Sequence, residues 1–258
     1  FDYSRGFRVT YEYLMDEVEI WIQGQKRLGY ELVYLSDDTQ VRSDLKQFTV
    51  RSAGVLPEVS QQVVFSYYAP EDAYVGGVFH ERDLLKSVQF HQGGVVSYEY
   101  TPATHLLDNG GQVLNHRPHY PVFVVSSVIR SDFTGRNDVT NYSYSDGHFF
   151  FDGPFDRSFA GFGQVMVTDP LGQQSKYFFH QGGGFAGSSL GEHVSDDWYL
   201  LGRMYRSEQY DSSQNLLQRQ VISWDLVSLG PQRFFLQATD LVSTLFGSGG
   251  PRSSASST

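Results

Sequence analysis

Apolar and polar residues alternate with a period of two along most of this chain, and that rhythm limits what it can fold into more than any other feature. Arg8-Val9-Thr10-Tyr11-Glu12-Tyr13 and Glu17-Val18-Glu19-Ile20-Trp21-Ile22 each put every second side chain on one face. A strand does this; a helix, with its 3.6-residue period, does not. Tyr30–Leu35, Lys46–Arg51 and Val63–Tyr68 repeat the pattern, with Ser36-Asp37-Asp38 and Ala69-Pro70 as breaks. Leu84–Phe90 and Val95–Tyr100 flank Gln92-Gly93-Gly94 and predict a hairpin. Val122–Ile129 is apolar on both faces and β-branched, the composition of a strand buried on both sides. Val139–Tyr144 is expected to end in a turn at Ser145-Asp146-Gly147. Gly161–Asp169 and Ser175–His180 form a further pair about Pro170-Leu171-Gly172, and Leu200–Glu208 with Gln218–Asp225 another about 210–215.

Composition agrees with strands. Aromatics make up 16% of the chain, with 20 Phe and 17 Tyr, and flat rings pack well on a pleated surface. The one helical candidate, Leu190–Leu201, has Ser188-Ser189 as a possible cap but no apolar stripe, so it reads as a loop or short turn. A Tyr-x-Tyr strand end recurs at Tyr11–Tyr13, Tyr98–Tyr100 and Tyr142–Tyr144. A repeated hairpin buries its apolar face only by stacking on neighbours.

Several function classes recede on composition alone. The net charge is −10, so the average surface repels a phosphate backbone and no nucleic-acid partner is expected. With no cysteine, disulfide frameworks and thiolate metal sites are excluded. No apolar run reaches the ~18 residues of a membrane-spanning helix, so the chain is not expected to span a membrane. The first residues carry neither an initiator Met nor a signal-peptide pattern, and the chain reads as part of something longer. Residues 247–258 read as a flexible tail or linker, or an edge waiting for a strand.

The constellations that could carry chemistry are thin. Asp37-Asp38, Glu71-Asp72 and Asp196-Asp197 fall in turns, where Asp side chains bond to backbone amides. His116-x-x-His119 sits in a Pro-rich loop without the helix or third ligand of a zinc site. Gly187–Gly191 does not fit the Gly-x-Ser-x-Gly elbow, and Gly182–Gly184 lacks the lysine of a phosphate loop. No catalytic, cofactor-binding or metal-binding residue is assigned, and an enzyme is not expected. Gly161-Phe162-Gly163 stands out structurally: two glycines around a ring suggest a bulge or close backbone approach.

The middle of the chain resembles SpvB-type and TcB-type toxin proteins of the YD-repeat (Rhs) group. Asp83–Val88, Gly93-Gly94 and Tyr98-Glu99-Tyr100-Thr101-Pro102-Ala103-Thr104 are similar to the family's strand, Gly-Gly turn and Tyr-x-Tyr-x-Pro strand. Pro121–Val128, Thr140–Tyr144, Phe159–Pro170 and Tyr177–Gly182 follow in the family's order. The segment Phe159–Pro170 is similar to the family's Gly-Phe-Gly-x-Val-x-Val-Thr-Asp signature, ending at Asp169; Arg157-Ser158 replaces its Arg-Glu. The resemblance covers about residues 80–185.

It implies an all-β fold of antiparallel hairpins in an extended, curled sheet, like a YD-repeat shell. The structural motif residues it singles out are Gly93, Gly94, Tyr98, Tyr100, Gly161, Phe162, Gly163 and Asp169. The organisation implied is an N-terminal hairpin region over 1–75, a repeat region over 76–246 and the tail over 247–258. The role implied is structural: part of a hollow β-shell of a secreted or cell-surface virulence protein, enclosing a toxin domain. Its partners would be flanking repeats of the same polypeptide, a partner shell protein and the enclosed toxin. The family's self-cleaving aspartyl segment has no counterpart here. A carbohydrate- or receptor-binding β module is the other reading, and it requires Tyr142, Tyr144 and Phe149–Phe151 to line an open groove.

Overall fold

The computed structural model describes residues 14–35, 44–52, 60–68, 74–75, 78–79, 84–108, 110–115, 122–151, 157–182, 198–230, 233–247 and 250–257. Strands dominate them: β1 (Glu17–Ile22), β2 (Gln25–Tyr34), β3 (Leu45–Ser52), β4 (Ser60–Tyr67), β5 (Tyr74–Val75), β6 (Val78–Phe79), β7 (Leu85–Phe90) and β8 (Val95–Pro102). Then follow β9 (Phe123–Ser131), β10 (Asn137–Phe151), β11 (Arg157–Thr168), β12 (Gln174–Phe179), β13 (Met204–Tyr210), β14 (Leu216–Gly230), β15 (Arg233–Gly247) and β16 (Gly250–Ser257). Among the described residues the helical content is two short 3-10 turns, Ala103–His105 and Trp198–Leu200. The second lies inside the segment read as a loop or short turn. The strand expected at Arg8–Tyr13 lies outside the described residues, as do the three paired-carboxylate turns, the His116/His119 loop and the Gly187–Gly191 segment.

Fourteen strands are hydrogen-bonded in chain order, β1-β2-β3-β4-β7-β8-β9-β10-β11-β12-β13-β14-β15-β16, and β5 with β6 makes a separate ribbon. Among the described residues β1 and β16 stand first and last in that order. The all-antiparallel hairpin sheet expected from the alternation is the fold. Two compact units divide the chain, one of residues 1–98 and 129–138, the other of 99–128 and 139–258. Their border falls inside β8, β9 and β10.

The register in the first unit sorts its side chains cleanly. Val18 and Ile20 face Tyr30 and Leu28; Tyr30 and Leu32 face Val50 and Phe48; these face Gln61 and Val63. Val63 and Phe65 continue to Phe90 and Val88, and Val88 to Val96. One face is therefore an apolar band six strands wide. The other carries Glu17, Glu19, Glu31, Arg51, Thr49, Gln62, Gln89 and Ser87, with Val33, Val64 and Val95 as apolar exceptions. Directly opposite residues share a face, so period-2 alternation plus register is sufficient cause. Within the band only Val88 is buried; Phe48, Val50, Val63 and Phe65 are half-buried, and Val18, Ile20 and Phe90 are exposed.

Two elements differ from the sequence expectation. β10 does not turn at Ser145-Asp146-Gly147 but runs on to Phe151 with a register shift between Gly147 and Phe149. Asp146 takes the left-handed conformation of a turn residue (φ 58°), yet neighbouring segments capture the freed backbone groups, and the strand continues as a bulge. Residues 250–257, within the stretch read as a tail, form β16, which pairs with β15 from Gly250–Gly247 to Ser257–Leu241.

Candidate functional site: a polar latch and a charged ladder

In the second unit a fully buried amide ties three segments together. Asn115, 1% exposed, follows the small bridge between Leu107 and Val113. Its Nδ2 donates to the carbonyls of Ala103 (2.9 Å) and Tyr144 (2.8 Å), and its Oδ1 accepts from the Gly147 N–H (2.8 Å). The Asp146 N–H donates to the Leu114 carbonyl at 3.3 Å. From the end of β12, Gln181 Nε2 donates to the carbonyls of Asp146 (2.6 Å) and Gly161 (3.2 Å). Both side chains replace the ladder bonds that the bulge in β10 gives up, so the buried backbone there remains paired.

Gly161, Phe162 and Gly163 belong to this latch. Gly161 has φ 78°, where a side chain would be strained. Phe162 packs edge-on to Phe159 at 5.3 Å and against Tyr144 at 5.0 Å. A Cβ on Gly163 would lie 2.8 Å from Asp146 Oδ2 and 3.2 Å from Gln181 Oε1; one on Gly147 would lie 3.0 Å from Asn115 Oδ1 and from Phe162 Cε1. The glycines let strands and amides approach. Burial pushes the Tyr144 hydroxyl up to about 12, with the Tyr142 hydroxyl adding to it. Tyr144 is thus half-buried against Phe162 rather than laid open in a groove, and Tyr142 and Phe149 are half-buried as well.

Asp169 sits elsewhere, at the β11–β12 turn. Its Oδ1 accepts from the N–H groups of Leu171 (2.9 Å) and Gln173 (2.8 Å), while its own N–H donates to the Gln173 carbonyl. Asp108, Asp132 and Asp211 do the same at positions two and four residues on. In each turn the fourth residue is left-handed: Gly111, Gly135, Gly172 and Gln214. Gly93 and Gly94 close a turn with the same backbone bonds, Gly93 N–H to Phe90 O and Phe90 N–H to Gly94 O, but without the carboxylate. Tyr98 accepts the Tyr68 hydroxyl on its carbonyl, and Tyr100 lies two residues further along β8. The motif residues therefore divide among one latch, two turns and strand β8.

Sequence reasoning did not pick out the second polar cluster. On one face of β12–β14, Lys176 lies opposite Glu208 and Phe178 opposite Arg206, and Arg219 lies opposite Glu208 on the other side. Glu208, 4% exposed, accepts from Arg219 Nε (2.8 Å) and the Tyr210 hydroxyl (2.7 Å), with Arg206 Nε at 3.7 Å. Burial pushes its carboxyl up, but Tyr210, Arg219 and Arg206 together hold it below the usual range. Burial and the Glu208 bond push Tyr210 up to about 12. The Arg206 guanidinium covers the Phe178 ring at 3.9 Å. Beside it, a cavity of about 220 Å³ is lined by His180, Leu200, Tyr205, Val221, Ile222, Ser223 and Trp224. Arg219 and Arg206 both bring their charge to Glu208, Arg219 with a hydrogen bond at 2.8 Å and Arg206 at 3.7 Å without one, which is the arrangement of a structural ion pair network. Among the described residues no group of three or more His, Asp or Glu could hold a metal, and no helix is long and apolar enough to cross a membrane.

No curated protein matches the chain. Among solved structures, a TcdB2-TccC3-Cdc42 structure aligns with 84% of this chain and 12% of its own, at 13% identity and a TM-score of 0.48. A TcdB2-TccC3 structure without its hypervariable C-terminal region aligns with 83% and 15%, at 15% identity and 0.47. A porin-like protein from Bacteroides uniformis aligns with 93% and 91%, at 12% identity and 0.26. The chain thus spans a small fraction of the length of the first two. The family described as the insecticide toxin TcdB middle/N-terminal region is matched over residues 53–182, from β4 through the latch to Gly182. That match covers half of the sequence, and the chain belongs to the insecticide toxin TcdB middle/N-terminal region family.

Proposed function

We propose that this chain is a wall segment of a toxin-complex shell: a structural, non-enzymatic part of a secreted YD-repeat protein that encloses a toxin domain. The observation that carries the reading is the two-faced sheet of the first unit. Its apolar band is six strands wide, yet most of its side chains keep contact with water. A face like this is stable in a long-lived protein when something else covers it. Membership of a toxin family supports a wall that holds another polypeptide, and supports a partner shell protein on the far side. The latch and the charged ladder then serve to fix strand register, the property a wall requires.

The test uses the full-length protein with its enclosed domain. Phe48→Glu and Phe65→Glu place charge on the apolar band; Gln62→Glu and Gln89→Glu place it on the polar face. Digestion of the enclosed domain by an added protease is followed in each. The apolar-band variants should lose protection while the polar-face variants keep it. Equal protection in all four, with folding verified by circular dichroism, would remove the shell reading.

A further inference from the structure

In the first unit β4 starts before its pairing with β7 does. The ladder opens with Val63 opposite Phe90, so Gln61 and Gln62 of β4 lie past the end of β7, beside the turn at His91-Gln92. A hollow of about 280 Å³ forms there, lined by Gln61, Gln62, Val63, Phe90, His91 and Gln92. Gln61, His91 and Gln92 are exposed, Gln62 and Val63 are half-buried, and the Phe90 ring is 45% exposed. Among the described residues the side chains of Gln61, Gln62, His91 and Gln92 make no hydrogen bond to the protein. No carboxylate, ammonium or guanidinium lines the hollow.

That lining selects a ligand class. An anion finds no cation to pair with and a cation no carboxylate, so neither gains charge-assisted bonds. A purely apolar ligand would cover the amides without giving them partners, which costs free energy. A ligand rich in hydroxyls suits them. Each Gln amide offers two N–H donors and a carbonyl acceptor, the neutral imidazole offers one of each, and a hydroxyl both donates and accepts. The face of an aromatic ring is negative and takes the weakly positive C–H groups on the flat side of a sugar. The volume lies below the ~300–1,000 Å³ of drug-sized sites, which matches a single ring rather than a long chain. We propose that this hollow is a saccharide site holding one neutral sugar ring, its C–H face on Phe90 and its hydroxyls on the amides of Gln61, Gln62 and Gln92 and on His91. Its ring is Phe90, at the end of β7, and not the half-buried Tyr142, Tyr144 or Phe149. The site stands apart from the wall reading, and either can fail without the other.

The full-length protein is applied to immobilised oligosaccharides ending in glucose, galactose, mannose or N-acetylglucosamine, beside sialylated and sulfated ones. It should bind at least one neutral class and gain nothing from sialic acid or sulfate. Gln61→Ala with Gln92→Ala removes two amides from exposed positions and should weaken that binding about tenfold or more. Phe90→Ala should weaken it similarly, while Phe90→Tyr, which keeps the ring, should retain it. Gln89→Ala, one residue from Phe90 but outside the hollow, should leave it unchanged. Binding to none of the neutral sugars, or to acidic ones alone, would overturn the proposal. So would neutral-sugar binding that the Gln61/Gln92 pair of substitutions leaves at the parent level, since the sugar would then sit elsewhere on the protein. If Phe90→Ala fails to fold, the glutamine pair still decides.

Discussion

A single side chain, Asn115, does the work of several ladder bonds. Its three hydrogen bonds reach the backbone of Ala103, Tyr144 and Gly147, and it is 1% exposed. Asn115→Ala leaves one N–H and two carbonyls without that partner in a site closed to water, and should cost about 3 kcal/mol. Gly163→Ala acts on the same latch by contact, since its Cβ would meet Asp146 and Gln181. Both variants should lower the midpoint of urea unfolding, with the slope unchanged. A midpoint within error of the parent in both would mean that the latch is not a stabilising element. Little of this was legible beforehand. Gly161-Phe162-Gly163 announced a close approach, because two glycines around a ring have few other uses. Asn115 announced nothing: it stands in a loop without periodicity, and its role exists only once the bulge in β10 and the end of β12 come to it. Glu208 was hidden for the same reason, its alternation placing it in a strand but not beneath two arginines.

Hairpin turns carry their instructions locally, which is why the sequence reads well there. Asp-x-x-Gly-x at 108–112, 132–136 and 169–173 combines an acceptor at the first position with a residue free to be left-handed at the fourth. The turn at 211–215 keeps the aspartate but has Gln214 at φ 65°. Gln214→Gly removes that backbone cost and should raise stability by roughly 1 kcal/mol. Asp132→Ala, Asp169→Ala and Asp211→Ala each delete two bonds to backbone N–H groups and should lower the unfolding midpoint. Thermal denaturation of the four variants checks both signs, and a destabilised Gln214→Gly would refute the argument. Strand β14 shows the opposite case. Its alternation was visible over Gln218–Asp225, but the length by which it exceeds β13 is a relation between two strands and leaves no local trace.

Over the whole chain, alternation was strong enough to dictate an antiparallel sheet, and family motifs in fixed order pointed to a toxin-complex protein, in keeping with the family match over residues 53–182. What alternation alone could not say was what covers the apolar side. In the first unit Phe48, Val50, Val63 and Phe65 remain half-buried and Val18, Ile20 and Phe90 exposed, although each sits in a regular strand with its backbone paired. Backbone pairing keeps such a sheet ordered while its apolar side chains stay available, so order and accessible apolar surface should coexist. A dye that fluoresces in apolar surroundings should therefore bind the chain under native conditions, while near-ultraviolet circular dichroism shows fixed aromatic side chains. That combination separates an uncovered native face from a molten state, which binds dye but loses the near-ultraviolet signal. Phe48→Thr with Phe65→Thr should reduce dye binding, since threonine keeps strand preference while shedding apolar area. Thr49→Val, on the polar face, should not reduce it. Dye binding that appears only as the near-ultraviolet signal vanishes would show that the band is covered in the folded chain, and would count against a wall whose apolar face waits for another polypeptide.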